Sequence, residues 1–360
     1  DGWSGVWLLY RWAMASDVID WAAAVRTGQR LAPAGPHVST SQARQAVDDL
    51  QEYSARAELI VRDTTGLGHG LPVELARIVD RPHWIESTAA GMAELTAPLA
   101  EKLGGKIGQA PLAKAAAGAQ LGAVLSFLSS RVLGQYDPLT YAGPESKTPG
   151  VLLLVAPNII KVERELAADP ADFRMWVCLH ESTHRLQFTA VPWLREHFQA
   201  LVAEFGAAAN TDASELLGRL VSAVKGGSRS ATGSSWIESI QTPEQRAIFD
   251  QLMALMTLLE GHADHVMDAV GPSVIPSVGS IRNSFTTRRK KGRGPFDRIL
   301  RSLLGMDMKM AQYVKGAAFV SSVVQEVGME RFNTIWTSPE ALPTRAETTD
   351  PQGWTDRVLG

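Results

Sequence analysis

The chain has 360 residues, 45% of them hydrophobic and 20% charged, with a formal net charge of −3. These values describe a soluble globular protein of one large or two moderate domains, and exclude a disordered chain. The near-neutral charge gives no basis for a nucleic-acid partner. A single cysteine, Cys178, excludes an intrachain disulfide, so a cytoplasmic location is expected.

Residues 1–30 read as helices, and "LAPAGP" at 31–36 breaks them. The start carries no basic segment and no cleavage pattern. Five of the ten tryptophans fall within the first 84 residues (Trp3, Trp7, Trp12, Trp21, Trp84) and are expected in the core. Ser39 or Thr40 is placed to cap a helix running to about Val61. A helix pair is expected over roughly 72–98, then an alanine-rich helix over 111–133. Its most apolar run, 115–130, is interrupted by Gln120 and is shorter than a membrane span needs, so no transmembrane segment is expected.

"VLLLVAP" from Val151 is the best strand candidate, with turn-forming sequence and a second short strand around Tyr136–Tyr141 before it. Asn158 is placed to cap one helix. Pro170 and Asp172 start the next, and Pro192 ends it. The small polar run 225–235 reads as mobile. So does 286–295, whose five basic residues within 288–293 are expected to face solvent. The fold class is therefore mainly α with a small β-sheet (α+β). It divides into a helical N-terminal region, 1–134, and a second region, 135–360, that holds the motif taken up next, compatible with one compact unit.

The chemistry centres on His180-Glu181-Ser182-Thr183-His184. Histidines four apart lie one turn apart on one helical face, where two neutral imidazoles can grip one zinc ion. Glu181 then reaches a metal-bound water and takes its proton as general base. Phe173, Val177, Phe188 and Val191 lie on the histidine face, so the motif should look inward. Cys178 points away from it and reads as buried packing.

Catalytic zinc takes three protein ligands and keeps an open position. A third ligand is found in "LLEGHADHVMD", near the centre of a helix expected over 242–272. Thr242 to Gln245 form a capping box at its start, and Pro272 stops it. Glu260 follows an apolar stretch where a carboxylate needs a strong partner. Asp264, one turn on, is placed to accept a hydrogen bond from the far nitrogen of His180. Gly261 lets this helix and the motif helix approach closely. His265 is a candidate for orienting substrate or steadying an oxyanion; in a rival arrangement it replaces Glu260 as ligand. His262 faces nearly opposite Glu260 and is not expected to bind metal. Lys309 and Tyr313, four apart on a later helix, are oxyanion candidates. A capped, packed helix with an ordinary surface lysine is the simpler reading of the pair.

"HESTH" joined to the downstream "EGHAD" resembles the gluzincin arrangement of zinc metallopeptidases. Seventy-five residues separate His184 from Glu260, more than in the thermolysin-like branch. Through "IVDRPHW", "VLGQYDPL", "HESTHRLQF", "LLEGHADHVMD", "KMAQYVKGAAFV" and "FNTIWTSPEALPTRAE", nearly the whole chain resembles one bacterial family. That family of zinc-dependent hydrolases is mainly actinobacterial and is labelled as associated with coenzyme F420 biosynthesis. The resemblance implies a zincin-like core, Zn2+ and hydrolysis. It also implies that the strand at 151–155 is the substrate-aligning edge strand, with a free edge for an extended peptide. A zinc metallopeptidase acting on a peptide or another small amide or ester is thus expected. The alternatives are a non-catalytic metal-binding scaffold and an enzyme of F420 metabolism. "GLGHG" at 66–70 has the wrong flanks for a dinucleotide fingerprint.

Overall fold

The computed structural model describes residues 19–103, 111–141, 149–208, 243–291 and 306–360, without the side chains of 98–103, 208, 285–291 and 306–315. Trp3, Trp7, Trp12, Thr242 and the run 225–235 lie outside the described residues, as do the side chains of the basic run 288–293. The chain forms two compact units. The first takes in residues up to Arg56 and Val73–Glu181; the second takes in Ala57–Pro72, Ser182–Asn210 and Gly218–Gly360.

In the first unit, α1 (Trp21–Leu31) is capped by Asp20, whose carboxylate accepts from the Ala23 amide at 2.8 Å. The start of α2 (Thr40–Thr65) is a reciprocal box: Ser39 Oγ accepts from the Gln42 amide, and Gln42 Oε1 accepts from the Ser39 amide. The expected helix pair over 72–98 is instead a short strand, β1 (Arg77–Val79), and one helix, α3 (Arg81–Leu103). Asp80 accounts for the break, because its carboxylate accepts from the His83 amide and caps α3. The alanine-rich α4 (Pro111–Leu128) is, by length and composition, the one helix among the described residues that could cross a membrane. Its Gly118 and Gly122 lie directly on the α1 carbonyls of Asp20 and Ala24, so the two backbones touch.

A three-stranded sheet in the order β1–β3–β2 completes this unit. Strand β3 (Pro149–Val155) runs parallel to β1 and antiparallel to β2 (Gly134–Tyr141). Among the described residues the edges of the sheet are β1 and β2, and the strand read from "VLLLV" is thus central, not the edge strand expected. The reason is its burial on both faces, which produces an unbroken apolar run rather than an alternating one. Val151, Leu153 and Val155 join Trp21, Trp84, Ile85 and Leu125 in the core, while Leu152 and Leu154 point to the other face and are equally buried.

Asn158 lies inside α5 (Ala156–Leu166) and is not its cap. Its buried amide donates to the Ser129 and Val132 carbonyls, and its oxygen accepts from Arg81 Nε at 2.8 Å. Helix α6 (Pro170–Thr189) starts on Asp169, whose carboxylate accepts from the Ala171 and Asp172 amides. Early in α6, Arg174 pairs with both Glu163 and Asp49.

The second unit contains α7 (Leu194–Ala208), α8 (Pro243–Val270), α9 (Val278–Lys291), α10 (Met306–Phe332) and α11 (Pro351–Leu359). Gly271, at φ 64°, ends α8 in the left-handed conformation that glycine adopts without strain. The α8–α10 crossing is made at Gly261 and Gly316, so the close approach expected there with the motif helix is made with α10 instead. A Cβ on Gly261 would stand 2.8 Å from the Ala317 nitrogen and closer still to the Gly316 carbonyl. The tail around Pro339 forms short 3-10 turns that pack inward. Trp336 is buried and accepts from Trp193 Nε1 at 2.9 Å, and Trp354 Nε1 donates to the Ala341 carbonyl.

Candidate metal centre

The stripe of Phe173, Val177, Phe188 and Val191 is buried, which turns the motif face of α6 inward. His180 and His184 sit half-buried on this helix. One ring nitrogen of each and one carboxylate oxygen of Glu260 all lie within 4.8 Å of one another. His184 Nε2 faces Glu260 Oε1 at 3.8 Å. That is too long for a hydrogen bond. Two donors each bound about 2.1 Å from one tetrahedral ion stand about 3.4 Å apart, close to the separation observed. Two imidazoles and one carboxylate are also a donor set of catalytic zinc, leaving a position open. The group fits zinc in both chemistry and spacing.

Glu181 is buried, unlike its two histidine neighbours in the motif. Its side chain lies against Gly134, the first residue of β2. A Cβ at Gly134 would stand 2.6 Å from Glu181 Cγ and 2.9 Å from Oε1. Glycine is therefore required there for the carboxylate to keep its place.

A zincin-like metallopeptidase family model matches residues 19–355. The chain belongs to the zincin-like metallopeptidase family. A crystal structure from Chloroflexus aurantiacus, described as "a putative hydrolase with a novel fold", is 32% identical in sequence. It superposes with a TM-score of 0.67 and covers 94% of this chain and 98% of its own. No curated protein matches the sequence. At family level this zincin-like chain is a zinc hydrolase, and His180, His184 and Glu260 form its possible metal site.

Around the ligands, Gln187 has no exposed surface. Its Oε1 lies 3.0 Å from His184 Nδ1, and its Nε2 lies 2.9 Å from the Leu259 carbonyl and 3.1 Å from His262 Nδ1. His262 is fully buried and stacks on Phe332 at 5.7 Å, beside Trp336. Burial, then the nearby His265 and His184, push its pKa down to about 3, so it is neutral. Next to His184, Arg185 reaches Glu58 at 2.6 Å. Glu58 also pairs with Arg62, which donates to the Leu71 and Pro72 carbonyls. This buried charged group ties the motif turn of α6 to α2.

The remaining sequence candidates divide. Asp264 lies half-buried one turn beyond Glu260, and its backbone carbonyl accepts from Arg282 at 2.8 Å. His265 Nδ1 stands 3.0 Å from Ser321 Oγ on α10, and His265 is not in the three-ligand group. Burial lowers its pKa, with Asp268 opposing. Lys309 and Tyr313 fall within α10, but their side chains lie outside the described residues. Cys178 is buried as expected, with Sγ toward the Leu50 carbonyl. Sequence reading missed Gln187, Gly134 and the Glu58–Arg185 pair. For Gln187 a signal existed: an amide three residues after His184, on the same helical face.

Proposed function

We propose that this chain is a zinc-dependent peptidase with Glu181 as its general base. The observation that carries the reading is the convergence of Glu260 on the two motif histidines. The buried Glu181 carboxylate beside β2 supports it. Zinc held by His180, His184 and Glu260 would polarise a substrate carbonyl and lower the pKa of a water beside it. Glu181 would take the water's proton on its carboxylate and return it to the leaving amine. Asp264 is the acceptor we assign to the far nitrogen of His180. We assign the steadying of the oxyanion to His265, with Lys309 or Tyr313, from their positions in the sequence.

Strand β2 lies at the sheet edge and begins against Glu181. An extended peptide pairing with that edge would bring its backbone past the base. This geometry favours a peptide, or another small amide or ester, over a sugar, phosphate or nucleic acid, and we place the activity in the cytoplasm.

Metal analysis of the purified protein tests the site. About one zinc per chain is expected, and His184→Ala and Glu260→Ala should each lose it. Unchanged metal in both variants overturns the ligand set. In a peptide-library screen, Glu181→Gln should keep zinc and cleave nothing; turnover equal to wild type overturns the role of Glu181.

A further inference from the structure

We propose that Gln187 is a positioning residue: it fixes Nε2 as the ligating nitrogen of His184 and holds the helix bearing Glu260 to the motif helix. This inference rests on the zinc reading above.

The argument is a complete count of donors and acceptors on one buried amide. The Leu259 carbonyl can only accept, so the Gln187 atom 2.9 Å away is the NH2 end. That contact fixes the orientation of the whole amide. The second N–H then points at His262 Nδ1, 3.1 Å away, which must accept. His262 therefore carries its proton on Nε2. Gln187 Oε1 can only accept, so His184 Nδ1, 3.0 Å away, must carry a proton. With Nδ1 protonated, the lone pair of His184 lies on Nε2, the atom that faces Glu260 Oε1. Both N–H groups and the oxygen of the amide are used.

Two consequences follow for the centre. A free neutral imidazole favours the opposite tautomer, with the proton on Nε2, which would block the ligating nitrogen. Gln187 reverses that preference before any metal arrives. Leu259 directly precedes Glu260, so the same amide that orients one ligand anchors the backbone beside another. Gln187 lies three residues after His184 on α6, and Leu259 lies on α8. The amide thus sets the distance between two ligands through one short hydrogen-bonded path.

Two variants test this. Gln187→Met keeps length and apolar volume but removes every hydrogen bond. Gln187→Glu still accepts from His184 Nδ1–H. The first readout is the His184 tautomer in metal-free protein, measured by nitrogen-15 NMR of labelled histidine. The second is zinc affinity by competition with a chelator. Wild type should show Nδ1–H at His184, Gln187→Met should shift to Nε2–H, and Gln187→Glu should keep Nδ1–H. Zinc should bind Gln187→Met about 10–100-fold more weakly than wild type. An unchanged tautomer in Gln187→Met, or equal zinc affinity, overturns the inference. Absence of zinc binding in wild type overturns the zinc reading instead, because the tautomer shift is read without metal. If Gln187→Met does not fold, Gln187→Glu decides: Nε2–H at His184 in that variant overturns the proposal.

Discussion

Replacing Gly261 by alanine places a methyl group where α10 already has backbone. That carbon would stand 2.8 Å from the Ala317 nitrogen and nearer still to the Gly316 carbonyl. Ordinary contact begins near 3.5 Å, so the helices must part by about 1 Å. Such overpacking costs about 1–3 kcal/mol. Alanine returns about 1 kcal/mol of that through its higher helix propensity. The expected net loss is roughly 0–2 kcal/mol, a fall in Tm of about 2–4 °C for each kcal/mol. The larger effect should be on metal, because Glu260 is the neighbouring residue and moves with the backbone. Zinc affinity, measured by chelator competition, should fall about tenfold or more. Gly279→Ala is the matched control. It lies in α9, where an added Cβ meets nothing within 4 Å, so it should leave zinc affinity unchanged and not lower Tm. Wild-type zinc affinity in Gly261→Ala would refute the reasoning that this close crossing sets the position of Glu260.

Other outcomes follow from the same structure. Gly134→Val should push the Glu181 carboxylate aside, keeping zinc but lowering turnover of any cleaved peptide about 100-fold or more; wild-type turnover would remove the packing role given to Gly134. Glu58→Gln leaves Arg62 and Arg185 buried without their carboxylate and should cost about 3–5 kcal/mol in urea unfolding. A loss below about 1 kcal/mol would mean that this group contributes little. His265 has its folded pKa lowered from 6.5 by burial, so protonation favours the unfolded chain. Its contribution is present above pH 6.5 and lost as pH falls toward the folded value. His265→Gln should therefore show a shallower decline in urea midpoint between about pH 7 and 5; equal declines would contradict the assignment.

What could be read from the sequence was local. His180, Glu181 and His184 sit at spacings that a helix converts directly into geometry, and Glu260 and Gly261 stand out because they interrupt an apolar helix. Pairing across the chain was not readable in the same way. The run "VLLLV" announces a buried strand, yet nothing in it says which neighbours pair with it. Its place between β1 and β2 depends on Arg77–Val79, a segment of three residues too short to show a strand period. Asn158 looked like a cap because a polar residue near a helix start usually is one. Here its side chain turns inward to carbonyls 26 and 29 residues away. Gln187 and Gly134 gain their roles from partners far along the chain, Leu259 and Glu181, and such roles emerge only once the chain is folded.

Strand β2 also sets a length. Its pairing with β3 is regular from Gly134 to Asp137 and irregular beyond. Pro138 brings no N–H, and the amides of Leu139 and Thr140 are already taken by the Asp137 carboxylate, at 2.9 and 3.3 Å. A guest chain pairing with the outer edge would therefore meet about four residues of ladder, some 13 Å at the usual rise. On the peptidase reading the strand acts as a ruler. Cleavage should improve as peptides lengthen to fill that span and then level off, because Pro138, Leu139 and Thr140 offer a guest no free amide.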